Sequence, residues 1–571
     1  MKNPRALVFG GLTVLSILIA CFFINTYAWT CDDAYISFRY ARNLVNGLGL
    51  VFNAGERVEG YTNFLWTMMI AAGMKMGVDP VTFTKLIGGV FAVGTITLLS
   101  IGSWKLQSSL PGKKWIIPFA ALGLCIHHEA NVYATGGLET SMFTFLLTSL
   151  YFALIYSRSK KSLLGTGVLS LLLLLTRPDG ILFLVAGVIY LFLTRLNKIK
   201  SIVVFILPAI LIYLPYWWWR YAYYGYFYPN TYYAKSIGMP YYTQGFLYLT
   251  IYMASYFVFL HTPVMLIVAA LRYKKTIYSW FREKSFFRFI ESDHLFFNNV
   301  FLGMFFIAAQ VLFVIRIGGD FMFGRFFIPI TPVGFFVIEC LIVSLFQGVT
   351  ALSLGLLMLL TTYNRINFYN DSIFKLKIAD EWKFYANGVL PDVKKLGEIL
   401  NVLFKGIPVR VAFMGARAKL VYYMDPELAI EAETGLTDVE IAHQEIIERG
   451  RPGHEKRAPY DYLVKRKVQI FFDNVPSKDS TSFRTISFNG FLARIVTYDD
   501  SVMNRLAADP GIRFANVSRV IDSYVSKIER KNPLDVSKDY SVFKSMYFDS
   551  HNDTVRENKF KRFLRMPPGG K

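Results

Sequence analysis

Long apolar runs separated by short polar connections fill the first 363 residues of this 571-residue chain. They fall at 6–27, 82–104, 115–128, 139–157, 162–176, 180–195, 200–216, 244–271, 295–316, 326–346 and 349–363, and they predict about eleven membrane-spanning helices. Several are shorter than the roughly 20 residues of a perpendicular span, so they must extend into loop residues or be shielded by other helices. The short apolar stretch 63–77 follows an acidic loop and predicts an interfacial or re-entrant helix. After residue 364 the pattern changes. Alternation in Val409–Phe413 and Val468–Phe472 predicts strands, and Asp438–Arg449 predicts a helix. The fold class is therefore a polytopic α-helical membrane protein with a C-terminal soluble α/β domain. A membrane domain occupies 1–363, with an acidic loop at 28–81. The α/β domain occupies 364–550, and a basic tail, 551–571, is expected to be disordered.

Composition supports the same class: 54% of residues are hydrophobic and 17% aromatic. The net charge of +21 raises the question of nucleic acid, but much of the basic charge sits in short loops between apolar runs, which is the orientation signal of membrane insertion. Nucleic acid is not expected as a partner. With the N-terminus inside, the inner segments hold seventeen Lys and Arg against five in the short outer loops, Arg177, Arg220, Lys235, Arg316 and Arg325. That asymmetry puts the acidic loop, and with it the C-terminal domain, on the outer face. Four cysteines without paired spacing indicate neither a disulfide framework nor a thiolate metal site. Leu18-Ile19-Ala20-Cys21 has the form of a lipoprotein cleavage box, but the apolar run continues through Phe22-Phe23-Ile24, which favours an uncleaved first helix.

Polar residues at the outer ends of these runs are the candidates for chemistry. Asp32 and Asp33 are adjacent carboxylates at a low-dielectric boundary, where one can act as a general base and the other orient it or hold a cation. The alternative is that both cap the first turn of the helix that follows. Arg39 and Arg42 share a face of that helix, at i and i+3. His127-His128-Glu129 could meet a phosphate or a metal, although adjacent histidines do not share a helix face; an interfacial helix end is the other reading. Arg177, beside Pro178-Asp179-Gly180, can reach a lipid phosphate bidentately or anchor to headgroups. The run Trp217 to Lys235 is dense in aromatics, including Tyr228 beside Asn230. It suits an interfacial belt, or sugar rings and prenyl chains, with Lys235 or Arg220 on a phosphate. Gly318-Gly319-Asp320 and Arg325 form a turn whose charges can pair with each other or with substrate.

Asp32 to Tyr40, followed by Gly47-Leu48-Gly49-Leu50-Val51-Phe52-Asn53-Ala54-Gly55-Glu56-Arg57-Val58-Glu59-Gly60-Tyr61-Thr62, resembles the first outer loop of the mycobacterial terminal β-(1→2) arabinofuranosyltransferases. Gly137-Leu138-Glu139-Thr140, Arg177-Pro178-Asp179-Gly180, Gly319-Asp320-Phe321, Gly324-Arg325-Phe326, Gly435-Leu436-Thr437-Asp438 and Gly450 to Lys456 resemble later blocks in the same order. The resemblance implies a GT-C fold in a bacterial plasma membrane, with the active site on the outer face. It implies a sugar donor carried on polyprenyl monophosphate, arabinofuranose first among the sugars, and a cell-envelope glycan acceptor. By the same resemblance Asp32 is the catalytic carboxylate and Asp33 its support. Arg177, Arg325, Lys235, His127 and His128 are the expected phosphate contacts, and Arg39, Glu139, Tyr228, Asn230, Asp320, Asp438 and His454 the expected substrate contacts. No protein metal ligands are expected, while a divalent cation accompanying the donor is left open. A lipid or glycan transporter is a rival class and would place ionisable groups mid-span. A non-catalytic envelope-assembly protein is another, for which both aspartates would be dispensable.

Overall fold

The structure, a computed structural model, describes residues 4–111, 115–195, 197–275, 278, 295–366, 376–386, 393–473 and 482–565. Among them five helices are long and apolar enough to cross a membrane: Pro4–Thr26, Pro80–Ser108, Lys198–Tyr224, Phe296–Ile317 and Ile328–Leu345. A sixth span results if the bent pair Tyr242–Ser255 and Phe257–Arg272 is one crossing. That pair answers to the single run expected at 244–271. The chain bends there by 99°, at Tyr256, whose ring stacks on His127 with centroids 4.1 Å apart. Three more expected runs are shorter helices, Thr140–Tyr156, Gly180–Thr194 and Gly348–Tyr363. At 1.5 Å per residue these reach less than the roughly 30 Å of a hydrocarbon core. The run expected at 115–128 is not one helix but two short ones, Phe119–Cys125 and His128–Val132, broken where His127 caps the second.

Burial follows from position in the bundle. Helix Thr331–Leu345 is buried along nearly its whole length, and Thr140–Tyr156 along most of it, so these two form the centre. Glu339 sits inside the first of them, an arrangement that a transporter would share. Its carboxylate accepts from Ser103 at 2.9 Å, from the Gln107 amide at 2.7 Å and from the Ala120 N–H at 2.7 Å. All three bonds tie it to neighbouring helices, so it pins the bundle. Helix Lys198–Tyr224 widens into a π turn, Ala209–Tyr213, after Pro208, because proline removes a backbone donor from the helical ladder. Its last turns carry much of the aromatic run. Trp218, Trp219 and Tyr221 are exposed there, and the stacked pairs Trp217–Tyr221 and Trp219–Tyr223 lie four residues apart on the helix, the arrangement of an interfacial belt.

The C-terminal part is built on one six-stranded sheet, in the order β2-β1-β3-β5-β4-β6. Its strands are β1 Arg410–Phe413, β2 Leu428–Glu431, β3 Ile470–Phe472, β4 Thr485–Phe488, β5 Phe491–Ile495 and β6 Ile512–Phe514. β1 runs parallel to β2 and β3, and the remaining pairs are antiparallel. The helix expected at 438–449 stops at Ala442. The chain then leaves the helix and brings Arg449 against the carbonyls of Ser236 and Met239. The tail expected to be disordered from 551 contains helix Thr554–Arg565 instead, with Phe560 fully buried and Arg556 paired to Asp522 at 2.8 Å. Residues 566–571 lie outside the described residues.

The acidic loop docks the sheet domain onto the bundle. Arg39 is buried, its guanidinium donating to the carbonyls of Phe52 and Pro426 at 2.8 Å each and pairing with Asp425 at 3.4 Å. Asn53 exchanges two bonds with the Ala429 backbone, at 2.9 and 3.0 Å. The Asn230 amide donates to the carbonyls of Gly435 and Leu436 at 2.8 and 3.0 Å. Arg39→Ala takes the side-chain donor from the buried Pro426 carbonyl, while the Phe52 carbonyl keeps the Asn43 amide and Asp425 keeps Arg42, a loss of about 1–3 kcal/mol. Earlier proteolytic release of the C-terminal domain is the expected result, read by limited proteolysis of the purified protein.

Candidate functional site

Loops from five regions of the sequence meet at one end of the bundle around a cavity of about 120 Å³. Thr62, Arg177, Asp179, Thr231, Lys235, Asp320 and Arg449 supply its polar wall; Ile237, Phe313, Ile317 and Phe326 supply the apolar one. The cavity is smaller than the roughly 300–1,000 Å³ of typical ligand pockets, so it takes a headgroup-sized part of a ligand. Its apolar side is the end of helix Leu295–Ile317, where a membrane-embedded chain can continue.

Charges in its walls are paired, with one exception. Arg177 forms a two-bond fork with Asp179 at 2.9 and 3.1 Å and donates to Glu139 at 3.0 Å. Arg325 lies 3.5 Å from both Asp320 and Glu139. Burial works against the Arg325 charge, but Asp320, Glu139 and Asp33 outweigh it and raise its pKa. Arg449 is paired with Glu455 at 2.7 Å. Lys235 lines the cavity, and its ammonium group makes no ion pair or hydrogen bond with a described residue. Burial lowers its pKa, with Asp320 pulling the other way. The Thr231 hydroxyl in the same wall is also buried without a partner. Gly319 closes the floor with φ +75°, and a β-carbon there would stand 2.5 Å from the Tyr248 ring. Gly319→Ala is therefore expected to destabilise the fold by about 1–3 kcal/mol, read as a lower Tm.

The two aspartates play different parts. Asp32 accepts the backbone N–H groups of Ala418 and Lys419 at 2.8 and 2.9 Å. It thus caps helix Ala418–Met424 of the sheet domain rather than the helix that follows it in sequence. Asp33 occupies the cap position of that following helix, Ala34–Val45, without a side-chain capping bond. Its half-buried carboxylate forms no hydrogen bond or ion pair with a described residue, and it is felt electrostatically by Arg325, Lys235, His454 and Glu381. His454 packs edge-on against Phe321 at 4.5 Å, and its Nδ1–H donates to the Pro452 carbonyl at 3.2 Å, which leaves Nε2 as the acceptor nitrogen.

Glu381 belongs to this group and escaped sequence reasoning; only the pair Asp380-Glu381 after the last apolar run could have flagged it. The chain before it bonds to the Asp320 loop, the Phe323 N–H donating to the Ala379 carbonyl at 2.8 Å and the Ala379 N–H to that of Phe321 at 2.6 Å. Burial, reinforced by Asp33, pushes the Glu381 carboxyl up to about 8, despite Arg451 at 3.7 Å. Asp32 is likewise pushed up to about 7 by burial, against its two backbone N–H bonds. The folded state then keeps protons that the unfolded chain releases near 4, so stability from both groups is complete below that pH and is lost as pH rises through about 7 to 8. Melting temperature is expected to fall from pH 5 to pH 8.5, with a flatter profile in Glu381→Gln.

Several expected contacts lie elsewhere. His127 is fully buried; its Nδ1 accepts the Ala130 N–H at 3.2 Å and its ring stacks on Tyr256, which makes it a helix cap in the core. His128 accepts from Arg365 at 3.2 Å and packs on Tyr27 and Trp382, so its ring is a packing surface. Neither lines the cavity. Arg39 and Asn230 are spent on docking, as described above. Asp438 caps helix Val439–Ala442 and pairs with Arg466 at 2.7 Å. Tyr228 stacks on Tyr232 at 4.2 Å, away from the cavity lining. Among the described residues no group of three or more His, Cys, Asp or Glu side chains is arranged to hold a metal ion.

Fold and site together define a helical protein with apolar helices of membrane-spanning length, whose loops and docked α/β domain enclose a charged, headgroup-sized cavity. No family model matches the chain. It resembles the terminal beta-(1->2)-arabinofuranosyltransferase of Mycobacterium tuberculosis, to which it is 27% identical over 332 residues, 54% of this chain and 52% of the relative. The protein of the same name from Corynebacterium glutamicum is 25% identical over 337 residues, 52% of this chain and 46% of the relative. The chain spans about half the length of the curated relatives it matches.

Proposed function

We propose that this protein is a membrane glycosyltransferase that moves a sugar, arabinofuranose first, from a polyprenyl-monophosphate donor to a cell-envelope glycan on the outer face of the membrane. One observation carries the reading: Lys235, a cation without a partner among the described residues, faces a cavity whose other wall is the apolar end of a long helix. A phosphate on a lipid chain meets both requirements at once. The similarity to two arabinofuranosyltransferases supports the sugar.

In this reading Lys235 takes the donor phosphate, with the Thr231 hydroxyl as a further donor, and the paired Arg177 and Arg325 set the positive field around it. The acceptor oxygen attacks the anomeric carbon, the bond from that carbon to the phosphate oxygen breaks, and the hydroxyl proton passes to Asp33. The leaving phosphate carries its new charge onto Lys235. Holding both reactants in place and stabilising that charge supply most of the rate. Asp32 holds the sheet domain against the acidic loop and so keeps Asp33 in place.

The test is sugar transfer by the purified protein from synthetic polyprenyl-phosphate arabinofuranose to a short arabinan. Lys235→Ala is expected to raise the donor KM about 10–100-fold, the worth of one charge-assisted bond, with a smaller change in kcat. Absence of product from the folded wild-type protein with every lipid-phosphate sugar in a panel would sink the proposal.

A further inference from the structure

A second and larger cavity, of about 610 Å³, shares no lining residue with the first. It flanks the aspartate pair. Thr30 and Tyr35 border it on either side of Asp32 and Asp33 in the chain, and the hydroxyl of Tyr385 in its wall accepts the Asp32 N–H at 3.0 Å. Helix Glu381–Ala386 connects the two places, since Glu381 feels the charge of Asp33 while Trp382 and Tyr385 line the larger cavity.

We propose that this groove binds the acceptor as an oligosaccharide, one sugar ring against the aromatic wall of Trp382, Tyr385, Tyr35 and Tyr423. The assignment rests on the transferase reading above and goes on to place the second substrate. Three features select a saccharide. Aromatic faces with polar edges suit the C–H faces and hydroxyls of a sugar ring. Lys85 and Asp79 in the same wall offer a donor and an acceptor to hydroxyls, and the Thr30 hydroxyl is buried there without a partner. The volume lies within the range of ligand sites, whereas the first cavity admits only a headgroup. A saccharide seated here lies along the segment Thr30 to Tyr35 that carries Asp33, the group that receives a proton in the reading above.

The measurement is a titration of the full-length protein in detergent, followed by tryptophan fluorescence, with a short linear arabinan and separately with a soluble short-chain anionic phospholipid. The arabinan is expected to saturate. Trp382→Ala and Tyr423→Ala should each weaken it about tenfold, the scale of one lost aromatic contact, and Lys235→Ala should leave it within about twofold. Lys394 is exposed at the rim, near the Tyr423 ring, so Lys394→Glu tests the same groove if Trp382→Ala does not fold; a weakening of several-fold is expected. Saturation by the phospholipid alone, or arabinan binding untouched by every groove variant, would overturn the proposal. The readout involves no catalysis. Arabinan bound in the groove without transfer would sink the transferase reading alone, and transfer with an unchanged acceptor KM in the groove variants would sink the groove alone.

Discussion

Asp33→Asn should lower kcat by about 10²–10⁴-fold, the contribution of a positioned general base, in a protein that melts within a few degrees of the wild type. The side chain has no bond to lose: its carboxylate is half-buried and without a partner among the described residues, so the amide costs little stability. What disappears, on the proposed mechanism, is the proton acceptor whose charge Arg325 and Lys235 feel. Asp32→Asn should do the reverse. Each Asp32 oxygen accepts one backbone N–H from helix Ala418–Met424. An amide can accept only one of them and turns its own donors on the other, which costs about 1–3 kcal/mol. Activity should fall only as far as docking loosens, and cooling should restore part of it. Single-turnover transfer by both variants, with melting curves alongside, separates the two roles. A folded, inactive Asp32→Asn beside an active Asp33→Asn would exchange the assignments.

The difference between those aspartates was not legible in the sequence, because it depends on a helix almost 400 residues away. Local spacing shows two adjacent acids before a helix and so suggests a local cap. The cap exists, but on the other domain. The same holds for Arg39 and Asp438, read as substrate contacts in family-like blocks, and for Asn230, read so within the aromatic run; all three are spent on holding the C-terminal part to the rest or on its own turns. Blocks that dock two domains and blocks that bind substrate look alike in one sequence. Arg177, Lys235 and Asp320 were legible because each is a charge at the end of an apolar run, where only a site or an anchor can use it, and all three line one cavity. The apolar runs located the helices, but bundle position was hidden: the central helices Thr140–Tyr156 and Thr331–Leu345 are apolar all round, and so is the exposed first helix Pro4–Thr26, so periodicity carried no signal of which helices form the centre.

Glu139→Ala should cost about 3–5 kcal/mol of stability, the penalty for removing one partner of a buried ion pair. The carboxylate stands between two guanidinium groups, Arg177 at 3.0 Å and Arg325 at 3.5 Å, and also accepts the Asn63 amide at 3.1 Å. Without it the two arginines keep Asp179 and Asp320 but face each other in a site of low dielectric. The sugar-transfer rate should fall with stability, since both arginines lose their orientation. The two pairs are not equal, and distance does not decide between them: at an effective dielectric near 20 a change from 3.0 to 3.5 Å alters the Coulomb term by only about 1 kcal/mol. Hydrogen bonding decides, because of the two arginines Arg177 alone donates a hydrogen bond to this carboxylate among the described residues. A double-mutant cycle should therefore give a larger coupling for Glu139 with Arg177 than with Arg325, by about the 1.5–3 kcal/mol of a charged hydrogen bond. Equal couplings would mean that Glu139 acts as a diffuse counter-charge, and a loss below about 1 kcal/mol for Glu139→Ala would mean that water or the bound donor phosphate, rather than this carboxylate, holds the two arginines apart.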